Sequence, residues 1–148
     1  MLPFPEVSEL AEEVRRLFDD LDRTRPVAWR SAAGVYTPVL DVVERRDAIE
    51  IYVDLAGVAA EDVRVLFKAG TLVICGCKRP PEGSTPSATA FHLLERSYGR
   101  FARAVRITTA IDVARTRATL RAGEIRVLIP KIEERRGHEF AIPVEKEN

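Results

Sequence analysis

The chain has 148 residues, 46% hydrophobic and 31% charged, with 23 basic and 23 acidic side chains that cancel. That length holds one ordinary domain plus short tails, and the composition excludes a disordered chain or a membrane-embedded one. Zero net charge leaves no basic excess for a nucleic-acid footprint and little repulsion between copies, so self-association is favoured.

The first residues, Met1-Leu2-Pro3-Phe4-Pro5, lack the basic start and apolar run of a signal peptide. No apolar stretch approaches the length that spans a bilayer. Residues 6–25 carry a helical period: Val7, Leu10, Val14, Leu17, Phe18 and Leu21 recur at spacings of three and four. Ser8 is placed to cap this helix, Glu9, Glu12 and Glu13 suit its N-terminal dipole, and Pro26 stops it. One helix cannot bury such a stripe alone. It must dock on its own sheet, on a neighbouring subunit or on a foreign apolar surface. Trp29 and Phe4 add large apolar area to the same region.

From about residue 36 the period changes to two. Val39, Asp41 and Val43 alternate with Leu40 and Val42, and Ile49, Ile51, Val53 and Leu55 alternate with Glu50, Tyr52 and Asp54. Gly57 ends that strand. Val63, Val65 and Phe67 follow, then a tight turn at Ala69-Gly70, then an apolar partner from Leu72 to Cys77. Phe101 to Ile107 forms the next strand, and Thr116, Ala118 and Leu120 another. Ala122-Gly123 turns the chain into Ile125, Val127 and Ile129, which Pro130 closes. The pattern predicts an all-β, immunoglobulin-like antiparallel sandwich of seven to nine strands over about 36–131. An arm over 1–35 and an extension over 132–148 flank it.

Two segments do not fit a self-contained sandwich. Between Arg79 and Phe91 runs a Pro-, Ser- and Thr-rich loop, long for a compact domain, leading into a short apolar strand at Phe91, His92, Leu93 and Leu94. After Lys131 a charged, flexible tether carries Phe140-Ala141-Ile142-Pro143-Val144, whose proline keeps Ile142 and Val144 extended and on one side.

Chemistry-bearing residues are few. Cys75 and Cys77 would lie in line on one strand face, unsuited to a disulfide framework or to the usual zinc spacing, and a reducing cytoplasm fits them best. His92 and His138 fall in a loop and a tail, poor places for a general base. No phosphate-cradling glycine pattern occurs. Neither a catalytic site, a metal nor a cofactor is expected.

Several stretches in fixed order resemble the small heat-shock proteins, the alpha-crystallin domain family, in its bacterial and plant form. They are Pro38 to Glu44, Leu55-Ala56-Gly57-Val58 with Glu61-Asp62-Val63, Leu72 to Gly76, Glu95-Arg96-Ser97-Tyr98-Gly99-Arg100-Phe101, Ala118 to Gly123 with Ile129-Pro130-Lys131, and Ile142-Pro143-Val144. Departures include Ala56 for the usual proline, Cys77 and Lys78 for an acidic and a basic residue, and Leu93 at a position often basic. The resemblance implies that Ile142, Pro143 and Val144 plug a groove on a neighbouring subunit, between the strand of Val63, Val65 and Phe67 and that of Thr116 and Ala118. It implies a dimer in which Phe91, His92, Leu93 and Leu94 cross to a partner's Val39, Asp41 and Val43, with Arg103 pairing across the interface. It implies that the arm, with Val7, Leu10, Val14, Leu17, Phe18, Leu21 and Trp29, joins larger homo-oligomers and captures unfolding client proteins. The implied function is an ATP-independent holdase. The rival reading is a monomeric or dimeric co-chaperone-like adaptor for one specific partner.

Overall fold

The computed structural model describes residues 12, 14–16, 19, 23, 36–81, 83, 90–132, 139 and 141–146. Glu12, 14–16, Asp19 and Arg23 are helical, and Arg16 sits 3.9 Å from Glu12 one turn before it. Val7, Leu10, Leu17, Phe18, Leu21, Trp29, His138 and Phe140 lie outside the described residues.

Among the described residues seven strands follow: β1 (Leu40–Glu44), β2 (Ala48–Asp54), β3 (Val63–Lys68), β4 (Thr71–Lys78), β5 (Gly99–Arg106), β6 (Arg117–Arg121) and β7 (Glu124–Pro130). They form two antiparallel sheets, one in the order β1-β2-β7-β6, the other β3-β4-β5. Alternation decides which side chains meet between them. Ile49, Ile51 and Val53 of β2 and Ile125, Val127 and Ile129 of β7 face Leu72, Ile74 and Phe101 of the second sheet.

Local chemistry sets the turns. Ala69 and Gly70 have φ of 50° and 75°, and Ala122 and Gly123 repeat those values, so both hairpins use two left-handed residues, the mirror-image turn that matches strand twist. Between β2 and β3, Val58 donates to the Leu55 carbonyl across Gly57 at φ 77°, a type II turn with Ala56 at its second position. Gly76 matters for another reason: a Cβ there would stand 2.1 Å from the Asp62 carbonyl oxygen and 2.9 Å from the Phe101 ring. The missing side chain lets the short 3-10 turn Ala60–Asp62 rest directly on β4.

The element reading differs from the structure mainly at ends. Val39 and Ile107 fall just outside their strands but keep main-chain bonds, Asp54 N to Val39 O at 3.1 Å and Ile107 N to Gly70 O at 2.8 Å. Thr116 closes a second 3-10 turn, Val113–Arg115, capped by Asp112. Among the described residues, 91–94 pair with no strand. So short an apolar segment is not stable as an isolated strand.

Candidate functional site

Each sheet ends in two strands with one unpaired edge: β1 and β6 in one, β3 and β5 in the other. Tyr36 N donates to Arg100 O at 3.0 Å and Arg103 Nη1 to Pro38 O at 2.7 Å, so β5 lies beside the entry to β1. The β3 edge therefore falls on the β6 side, and the strands assigned to the groove face each other across the sandwich. Val65, Phe67 and Thr116 there are half-buried and Ala118 is exposed. Val63 corrects the sequence reading, because it packs in the core at 8% exposure and is not open to an incoming segment. Ile142 and Val144 stand 85% and 98% exposed on their own chain.

At the opposite side of the sandwich, Val39 and Val42 of the β1 edge are largely exposed, and so are Phe91, Leu93 and Leu94. Asp41 is exposed and Val43 half-buried on the outer side of the same strand. Phe91, Leu93 and Leu94 line a cleft of about 320 Å³ together with Pro80, Pro81 and Tyr98. The roots of this loop are fixed. Arg79 donates from Nε and Nη2 to Asp62 Oδ2 at 2.8 and 2.6 Å, a charge-assisted pair whose carboxylate is buried. Lys78, at the end of β4, is buried with its ammonium 4.7 Å from the Tyr36 ring centre and 5.8 Å from that of Tyr98. Burial, then Arg96, lowers its pKa. Tyr36, Lys78 and Tyr98 are the residues from which the arm and both ends of the loop depart.

Arg103 points toward the interior side of β5 and is satisfied by its own chain's Pro38 carbonyl. Sequence reasoning also missed Glu50. Read as a solvent-facing strand residue, it is only 5% exposed. Tyr52 OH donates to one carboxylate oxygen and Arg45 Nε to the other at 2.8 Å, with Arg126 Nη2 3.3 Å away. The bonds from Tyr52, then Arg45 and Arg126, hold its pKa down at about 2 against the cost of burial. The signal was a carboxylate with an aromatic two residues on and arginines at Arg45 and Arg126, legible only once β2 and β7 are paired. Cys75 is fully buried, and burial pushes its thiol up to about 11. His92 is exposed. Among the described residues no cluster of His, Cys, Asp or Glu is placed to hold a metal, and no helix is long and apolar enough to cross a membrane.

A sandwich with these strand orders, open edges and a terminal apolar extension matches a known family along most of its length. The model of the Hsp20/alpha crystallin family matches residues 41–145. The chain belongs to the Hsp20/alpha-crystallin family. Among its relatives, Heat shock protein 16 of Schizosaccharomyces pombe is 32% identical over 120 residues, 81% of this chain and 84% of that one. The solved structure of heat shock protein 16.0 from the same yeast superposes with a TM-score of 0.63 at 30% identity, covering 74% of this chain and 99% of the other. A small heat-shock protein from Xylella fastidiosa, described as having a distinct high order structure, gives 0.61 at 26% identity over 76% and 98%. This small heat-shock protein therefore carries the alpha-crystallin sandwich of a chaperone family, one that is typically non-enzymatic.

Proposed function

We propose that this small heat-shock protein is an ATP-independent holdase of the cytoplasm, which binds unfolding proteins and keeps them from aggregating. The observation that carries the reading is apolar surface left outside a sandwich whose core is already closed. Val39, Val42, Phe91, Leu93, Leu94, Ile142 and Val144 are all large, apolar and exposed. Phe91, Leu93 and Leu94 share one cleft, and exposed apolar surface of that kind marks sites of association. Two kinds of partner account for it. Copies of the chain exchange the 91–94 segment onto a neighbour's β1 edge, and Ile142 with Val144 seats in a neighbour's β3–β6 groove by edge augmentation. Each contact is weak, and tethering several of them together makes the assembly stable yet responsive to heat. Unfolding clients take the apolar arm and whatever surface the assembly uncovers. The adaptor reading leaves the terminal plug without a role.

The test is to heat citrate synthase with the protein in nucleotide-free buffer and pass the mixture over a sizing column. Co-elution of client and chaperone in one soluble, larger peak is expected. A client found only in the pellet, with the chaperone eluting alone, contradicts the reading.

A further inference from the structure

The outward face of the β3-β4-β5 sheet poses a question of coverage. Leu72 and Ile74 of β4 face the core, so Thr71, Val73, Cys75 and Cys77 face away from it. An outer face should be wet, yet Val73, Cys75 and Cys77 are only 1%, 0% and 5% exposed. Their β5 neighbours Ala102 and Ala104 are exposed and too short to shield them. The flanking basic residues on this face are Arg64 and Lys68 of β3 and Arg100 and Arg106 of β5, and no outward strand position is acidic.

We propose that this face is the docking surface of the chain's own N-terminal helix, whose apolar stripe lies along β4 beside β3. The helical residues described support a helix with one covered side. Val14, on the stripe, is half-buried, whereas Glu12, Arg15, Arg16, Asp19 and Arg23 are exposed. Charge agrees. Glu13 and Asp20 are seven residues apart in the sequence, a spacing that on a helix sets both along one flank of the stripe, opposite in charge to the basic rim. So does reach. The arm leaves the domain at Tyr36, bonded to Arg100 at the β5 edge of this sheet. Residues 24–35 extend at most ~40 Å, enough to return the helix over the face. The deep burial that raises the Cys75 thiol is of a piece with a cover on that side. Docked, the helix hides its stripe; released, it uncovers the stripe and a small-residue sheet face together. The inference goes beyond the holdase reading, and its test uses no client, so the two can fail separately.

The chain's only two cysteines, Cys75 and Cys77, both lie under the proposed cover and report on it. The full-length protein is labelled with a small aromatic disulfide reagent, and amide exchange in β2 and β7 verifies the sandwich. Leu10→Asp with Leu17→Asp is expected to label about tenfold faster or more, the factor that follows from losing ~1.4 kcal/mol of docking. Glu13→Lys with Asp20→Lys, which leaves the stripe intact, is expected to accelerate labelling as well. Glu12→Gln on the far side should leave the rate alone. Slow labelling that neither multiple variant changes overturns the assignment, as does fast labelling in the unaltered protein. A rate that rises on dilution assigns the cover to another subunit's arm and equally overturns it.

Discussion

Gly76 shows how one absent side chain positions two elements. With the Asp62 carbonyl 2.1 Å from where a Cβ would be, Gly76→Ala must push the Ala60–Asp62 turn off β4 and disturb the Arg79–Asp62 pair beyond it. We expect a loss of about 2 kcal/mol or more, read as a lower urea midpoint at unchanged slope. The opposite sign is expected at Ala69, which holds a left-handed φ of 50° without the side chain that tolerates it. Ala69→Asn should stabilise by about 0.5–1 kcal/mol and raise Tm, and an unchanged or lower Tm would count against the mirror-image turn. Glu50 sets a pH dependence. Its pKa lies below the ordinary 4.5, at about 2, so folding binds the charged form more tightly than the unfolded chain does. The contribution is present above pH 4.5 and is lost as pH falls toward 2. Glu50→Gln should therefore flatten the acid limb of the stability curve, and an acid limb identical to that of the unaltered chain would refute the role.

Elements were legible where one rule sufficed. Period-two alternation located the described strands to within a residue or two, except β4, which is buried on both faces and was read from its apolar run after the Ala69-Gly70 turn; where one face is buried, a register slip would turn the whole set outward. The rule gave no access to the two described 3-10 turns, one capped by the Asp112 side chain and the other seated on β4 where Gly76 lacks a Cβ, nor to Glu50, whose partners Arg45 and Arg126 lie outside its own strand. It also marked 91–94 as strand from apolar residues alone, although that segment has no ladder partner among the described residues. The candidate surfaces divide likewise. Ile142 and Val144 could be picked out by their polar tether, whereas Val63 looked identical to Val65 in sequence and differs only in depth. Two predictions belong here. Ile142→Ala with Val144→Ala should lower the native mass in light scattering from large assemblies to dimers, and an unchanged mass would remove the plug. Deleting 81–93 should carry the assembly down to monomers, and dimers that persist would rule out strand exchange.

For the molecule as a whole, the proposed function makes the sandwich a scaffold and puts the activity in the apolar segments beyond it. Its buried residues explain stability: the β2 and β7 isoleucines and valines lock onto Leu72, Ile74 and Phe101. Phe91, Leu93, Leu94, Ile142 and Val144 are exposed outside the strands, an arrangement that suits association through many weak contacts. Zero net charge removes the long-range repulsion that would oppose such association. The measurement that bears most directly on this account is light scattering of citrate synthase heated without nucleotide, with and without an equimolar amount of this protein. Strong suppression of client scattering, weakened in Leu10→Asp with Leu17→Asp, is the predicted result; client aggregation as fast with the protein as without it would contradict the account.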